Sequence, residues 1–467
     1  MSMDIEFITE VPGSSIEKKL LFSEFTKFEI RINEFNESNN FLKSLWREFN
    51  ETIPLGNLER CPWAFMPKKK VADKSVIYFG SMNTKLGIIH VAISFKKKGT
   101  IDNICFLFDD NSNVNDFNLG LLKQIVEKSK NKIHEIYTFN AKCILVGKYK
   151  NLKGEYVLNN YKSEKYIIYN DQGNLNLVFN GSGYDFIDYE NNIYEILQRV
   201  INFLCIETNI LYEFHSVYIE NGNIDFSEYS GKYNDSFQED IDDDGFVFVD
   251  GEFIDFYPLH KDKILLSRKG IKVLDSIIAN ENKNDNYNIF MNSCHLFKQG
   301  IEQEYESPES EIHAAYSKDK VLNVKKLGTG KNQGIISNAI TYYMSALENI
   351  TLIGYEAEKC SACGQLKYEI GNRVNEIIEK YFNPDMGKCL KKIYALRSMY
   401  LHSGKLYCGG NYSRVRPILD LSTGTNCKDT EFISLMNDGE SYIIFLNNIR
   451  EWISYVLRKT YYDLEIL

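Results

Sequence analysis

Arg397 stands five positions before His402 in the stretch Ile393–His402, with the polar Ser398 directly after it and Ser403-Gly404 directly beyond the histidine. An arginine keeps its proton in water and offers a planar fork of donors that suits phosphate oxygens. A histidine has an ordinary pKa close to neutral pH, so His402 can take and return a proton. Together they are the minimum equipment for cutting a phosphodiester without a metal. The base activates a ribose 2′-hydroxyl, and the cation stabilises the charge growing on the phosphate. RNA carries that hydroxyl and DNA does not. Arginine and histidine near a helix end also offset the helix dipole and bond its last carbonyls, and the two residues taken alone fit that role as well.

The surrounding residues must position the pair. CLKKIYALRSMYLH has helical periodicity, with Leu390, Ile393 and Tyr394 on its buried side and Leu401 also read as core. Residues five apart on an ideal helix sit about 140° around the axis from each other. Arg397 and His402 therefore do not converge within a continuous helix. They can meet if the helix ends near Leu401, which Ser403-Gly404 permits, or if two copies of the domain pair.

The setting YALRSMYLHSGKL, with Arg-x4-His closing an apolar helix, resembles the signature of the HEPN superfamily, ribonucleases of prokaryotic defence and toxin systems. The upstream stretch ITYYMSALENI resembles the preceding helix of the larger HEPN proteins, particularly the ApeA-like anti-phage group. The likeness covers roughly the last third of the chain, one domain's length. It implies a metal-independent endoribonuclease that leaves a 2′,3′-cyclic phosphate and a 5′-hydroxyl and needs no cofactor for catalysis. Arg397 would stabilise the phosphate and His402 would act as general acid-base. It also implies a homodimer or higher homo-oligomer formed through the helical domain, with a cleft built from two motifs. The setting would be antiviral defence by abortive infection, against cellular RNA such as tRNA, under a phage-derived trigger.

Glu348, in SALENI, lies where HEPN relatives often carry a polar residue facing the cleft; it would orient Arg397 as an ion pair or tune His402. A solvent-facing glutamate of an amphipathic helix is the other reading. Ser398 and Tyr400 flank the pair and would position a phosphate or a base. The rival from another class is a non-catalytic HEPN module that binds RNA or partner proteins. A third is a zinc-dependent regulator.

At 467 residues, 44% apolar and 25% charged, the chain has the make-up of a globular protein of two or three domains. Its net charge of -10 argues against a broad nucleic-acid surface, so RNA contact is expected locally, around Arg397, Arg414 and Arg416. No run of about 20 apolar residues predicts a membrane span, and the acidic start MSMDIEFITEVPG has no apolar core of a signal peptide. A cytoplasmic location without membrane partners is the expectation.

The fold class expected is α+β. Residues 1–255 read as a mixed, strand-rich domain with a sensing or regulatory role, from SEFTKFEIRINEF through SVIYFGS, LGIIHVAISF and NICFLFDD to KYIIYN and LNLVFNG. LYEFHSVYIENGNIDF reads as a hairpin turning at Asn221-Gly222. Residues 256–285 form a linker holding the short helix LSRKGIKVLDSIIA. Residues 286–467 read as an all-α, HEPN-like bundle, with apolar stripes Phe290-Cys294-Phe297-Ile301 and Ile336-Ile340-Tyr343-Leu347-Ile350.

Ten cysteines show no disulfide framework. Cys360-x-x-Cys363 followed by Gly364 is typical of half a zinc knuckle, for which Cys408 and Cys427, or Cys389, are the available further ligands to a structural zinc; free loop thiols are the alternative. Asp240-x-Asp242-x-Asp244-Gly245 begins like a calcium loop, but its twelfth position is Gly251, so it reads as an acidic turn. Lys68–Lys70 and Lys96–Lys98 read as solvated strand ends, and Gly328–Lys331 as a turn lacking phosphate-loop spacing. His90, His134, His215 and His260 are isolated and read as packing or surface residues.

Overall fold

A computed structural model of the chain describes residues 6–9, 18–21, 26–35, 38–52, 58–60, 75–84, 87–95, 101–108, 116–148, 157–171, 174–229, 231, 259–260, 263–280, 284–306, 316–317, 320–321, 330–356, 369–382, 384–405 and 446–463. They form an α+β protein, strand-rich in its N-terminal part and helical in its C-terminal part. The chain divides into two compact units, Met1–Tyr137 with Ser182–Glu190, and Thr138–Gly181 with Asn191–Leu467.

The first unit holds β1 (Glu6–Thr9), β2 (Lys18–Leu21), β3 (Thr26–Phe35), α1 (Ser38–Thr52), β4 (Leu58–Arg60), β5 (Ser75–Thr84), β6 (Gly87–Phe95), β7 (Ile101–Phe108) and α2 (Asp116–Asn131). Its larger sheet is antiparallel in the order β3-β7-β6-β5-β4, while β1 pairs with β2. Phe41, Leu42, Leu45, Trp46 and Phe49 of α1 recur at helical spacing and are buried, as are Leu122, Ile125 and Val126 of α2. Arg47 is buried with them. Its guanidinium donates to the carbonyls of Lys132 and Glu135, pairs with Glu48 at 3.4 Å and lies 5.3 Å from the centre of the Tyr137 ring. Carbonyls of the turn that follows α2 thus satisfy a buried cation, whose burial without partners costs on the order of several kcal/mol.

The chain continues through β8 (Tyr137–Lys148), β9 (Val157–Leu158), β10 (Tyr161–Lys162), β11 (Tyr166–Asp171), β12 (Asn174–Gly183), α3 (Phe186–Thr208) and β13 (Leu211–Asn221), all in the second unit except Tyr137, the end of β12 and the start of α3. A single 3-10 turn (Phe226–Tyr229) follows, then β14 (Leu259–His260), β15 (Lys263–Ile264), α4 (Arg268–Ile278), α5 (Asp285–Glu306), β16 (Tyr316–Ser317) and β17 (Lys320–Val321). The last helices are α6 (Gly330–Ile350), α7 (Ile370–Tyr381), α8 (Pro384–Ser403) and α9 (Leu446–Tyr462). The main sheet runs β10-β11-β12-β8-β13. The expected stripes on α5 and α6 are buried along their whole length.

Three sequence expectations meet a different arrangement here. Residues 211–226 do not make a hairpin. Gly222 turns the chain at φ +98°, but β13 pairs with β8, and Ile224, Phe226 and Tyr229 lie across Ile167, Tyr169 and Val178 on the sheet's face. Covering three apolar side chains there replaces the pairing of a return strand. Gly330 and Lys331 belong to the first turn of α6 rather than to a loop. The expected boundary at 255 and the linker 256–285 fall inside the second unit, because α9 packs back on elements that precede them. Ser454 donates to the carbonyl of Ile206 at 2.6 Å, Tyr462 donates to Glu207, and Phe290 stacks on Tyr461 with ring centres 3.9 Å apart. The acidic turn at Asp240, both lysine triplets and Gly328 lie outside the described residues.

Helices α5, α6 and α9 are joined by a buried network: Glu304 accepts from Arg450 at 2.7 Å and from the hydroxyl of Tyr343. Gly300, one turn earlier on α5, lets the Tyr343 ring lie flat on the helix, since a Cβ there would come within 2.5 Å of Cε1. With its hydroxyl anchored, the ring has little room to retreat. Gly300→Ala is therefore expected to cost about 1–3 kcal/mol of stability, in the range of overpacked cores. Thermal denaturation reads this directly, and an unchanged melting temperature would contradict the close approach.

Candidate functional site

The apolar stripe of α6 determines where its polar residues face. With Tyr343, Leu347 and Ile350 in the core, Glu348 is left at the margin of the buried face, toward α8. On α8, Pro384 occupies the first helical position, where its missing N–H is no loss. Gly387, Leu390 and Ile393 are buried, which puts Tyr394 and Arg397, one turn apart, on the side facing Glu348. The Arg397 Nη2 donates to Glu348 Oε2 at 2.8 Å, and the Tyr394 hydroxyl donates to Oε1 at 2.7 Å. Both members of the ion pair are largely covered, at 20% and 17% side-chain exposure, so the pair is shielded from the screening that makes surface pairs weak. The Nε of Arg397 is buried as well.

His402 lies elsewhere. Helix α8 does not stop near Leu401; it runs through Ser403, whose hydroxyl donates to the carbonyl of Met399 at 2.6 Å. Gly404 then ends it in the left-handed region (φ +66°), its N–H donating to the carbonyl of Tyr400 at 2.9 Å. Arg397 and His402 therefore remain about 140° apart around one helix. Arg397 is half-buried against α6, and His402 is exposed. Leu401, read as core from periodicity, is 50% exposed because it falls in the last turn, beyond the reach of the α6 packing. Met399 is exposed too.

The other expected site residues divide as follows. Tyr400 is half-buried and donates to Asn338 Oδ1 at 2.8 Å, and Asn338 in turn donates to Gln303. Ser398 is half-buried beside Arg397. Cys360, Cys363, Cys408 and Cys427 lie outside the described residues, as do Arg414 and Arg416; Cys389 lies within α8. Among the described residues no group of three or more His, Cys, Asp or Glu side chains is placed to hold a metal ion, and no helix is long and apolar enough to cross a membrane.

Two participants were not singled out from sequence. The periodicity of α8 assigns Tyr394 to the core, but its hydroxyl reaches the carboxylate; its position one turn before Arg397 was the available signal. Arg373 of α7 carries no local signal for its contacts with the segment after α6. Its Nε donates to Thr351 Oγ1 at 3.2 Å, and its guanidinium lies 4.1 Å from the centre of the Tyr355 ring. No protein-family model, curated protein or solved structure matches this chain.

Burial first, then the bond to Glu348 and its charge, push the Tyr394 phenol up to about 12, against the opposing pull of Arg397 and Arg373. A raised pKa means that the folded protein holds this proton more tightly than the unfolded chain does. The associated stability is present below the unfolded value near 10 and is lost as pH climbs toward about 12. Tyr394→Phe is expected to reduce the loss of stability across that window, measured by urea unfolding at successive alkaline pH values. Equal losses in both proteins would show that Tyr394 does not carry it.

Proposed function

We propose that the chain is a metal-independent endoribonuclease of HEPN type, acting in the cytoplasm on cellular RNA, tRNA among the candidates, in antiviral defence. The 2′-oxygen would attack the adjacent phosphorus while His402 takes its proton. The bond to the 5′-oxygen would break, and that oxygen would leave with a returned proton, giving a 2′,3′-cyclic phosphate and a 5′-hydroxyl. Arg397 would offset the charge on the phosphate. The observation that carries this reading is the ion pair of Arg397 with Glu348, made with Tyr394 also on the carboxylate: the guanidinium is held in one orientation before any substrate arrives. Preorganised charge of this kind is what phosphate chemistry uses. Because His402 points away from Arg397 on the same helix, a working cleft would combine the Arg397 of one copy with the His402 of a second, as the resemblance implies. The strand-rich N-terminal part would sense the phage-derived trigger.

A specific observation also favours the non-catalytic reading, in which the helical part binds RNA or a protein. Among the described residues, one copy alone leaves Arg397 engaged with Glu348 and His402 exposed on another side of the same helix. Purified protein with total RNA and with tRNA, in EDTA, separates the two. Wild type is expected to cut and leave cyclic-phosphate ends, with Arg397→Ala and His402→Ala each slower by about 10²–10⁴-fold. Equal cleavage by all three proteins would remove the pair from the chemistry. RNA binding without cleavage by any of them would favour the binding module.

A further inference from the structure

An arginine side chain carries five N–H donors, one on Nε and two on each terminal nitrogen. In Arg397 the Nε is buried with no hydrogen-bond partner among the described residues, which closes the side edge of the guanidinium to a ligand. The end edge needs Nη2 as well as Nη1, and Nη2 is bonded to Glu348 Oε2 at 2.8 Å. The carboxylate is held from turning away, because its other oxygen accepts from the Tyr394 hydroxyl at 2.7 Å. Its backbone is tied as well: the Thr351 hydroxyl donates to the Glu348 carbonyl at 2.6 Å. A second tie joins the same two helices, from the Tyr400 hydroxyl to Asn338 Oδ1 at 2.8 Å.

The bond that aims the guanidinium therefore also occupies it. A phosphate grips an arginine most strongly with two parallel N–H···O bonds. At Arg397 it meets a cation whose charge is offset and whose fork is in use. To share Nη2, a phosphate oxygen must lie against the carboxylate, where two negative charges repel. Both side chains of the pair are largely covered, so salt screens that repulsion little.

We propose that Glu348 is an internal competitor for phosphate: one copy of the chain is closed toward phosphate at Arg397, and single-stranded RNA binds there only by displacing the Glu348 carboxylate. This rests on the reading of Arg397 as a contact to RNA phosphate. A tethered group acts at an effective concentration on the order of millimolar or above, so a lone anion displaces it poorly. A strand already held by other contacts presents its phosphate at a comparable effective concentration, and the exchange then favours a polymer.

The test is binding of a short single-stranded RNA by full-length His402→Ala protein across a range of salt, with and without Glu348→Gln, which keeps the shape of the side chain and removes its charge. With the competitor gone, binding is expected to tighten by about tenfold, and the slope of log K against log salt to steepen by about 0.7. Glu348→Asp keeps the charge but draws the carboxylate back by one methylene, and is expected to tighten binding by less. Removing any negative charge helps RNA to approach, so an added Arg397→Ala identifies the cause: there the gain from Glu348→Gln is expected to vanish. A gain that persists without Arg397 would overturn the proposal. So would folded Glu348→Gln protein whose binding is unchanged or weaker, the result expected of a glutamate that only orients the arginine. If Glu348→Gln does not fold, Glu348→Asp decides on the same two outcomes. Absence of RNA binding by every variant would overturn the proposal together with the reading it rests on. An Arg397-dependent gain in a protein whose wild type cuts no RNA would sink the nuclease and leave the competitor standing. Cleavage that needs Arg397 and His402, with binding indifferent to Glu348→Gln, would do the reverse.

Discussion

Helix α8 advances about 100° per residue without interruption as far as Ser403, and only there does Gly404 turn it off. That continuity separates the two residues best suited to phosphate chemistry. Arg397 is turned inward to α6, while His402 is turned out near the helix end. A break one turn earlier would have allowed them to converge in a single chain. Ser403 works against such a break, because its hydroxyl satisfies the carbonyl of Met399 and prolongs the last turn. What one copy presents is an oriented cation and, on another face, an exposed base.

Orientation of the cation depends on packing well away from it. Glu348 faces α8 because the apolar stripe of α6 is fixed against α5 and α9, and that contact is locked by Glu304, Arg450 and Tyr343. Removing one partner of such a buried pair typically costs about 3–5 kcal/mol, so the network holds the helices in register rather than adding to a surplus of stability. Helix α9 extends the same rigidity to α3 through Ser454 and Tyr462. The helices bearing the site and most of the sheet β10-β11-β12-β8-β13 therefore belong to one unit.

The elements themselves were largely legible from periodicity. The stripes of α5 and α6 announce themselves because burial of one face imposes a repeat on the residues, and β5, β6 and β7 fall on the segments read as strands. Periodicity says which face is apolar but not what covers it. Polar composition marks a boundary near 255, although α9 returns to α3 across it. The same limit explains residues 222–229, where a turn signal at Gly222 was clear but the docking of Phe226 and Tyr229 on the sheet was not. In the site, Arg397 and Glu348 were visible from type and context. Tyr394 was hidden by being half apolar, and Arg373 because Thr351 and Tyr355, which it touches, lie in another segment.

The most direct measurement of whether two copies complete the site is mixing. Arg397→Ala and His402→Ala proteins, each expected to be slower by about 10²–10⁴-fold alone, are refolded together so that mixed oligomers form, and RNA cleavage is followed with time. A mixed pair keeps one intact combination, the arginine of one copy with the histidine of the other. Recovery of cleavage in the mixture is the predicted result. A mixture as inactive as its parts, or a wild type that cuts RNA while remaining monomeric, would contradict a cleft shared between two chains.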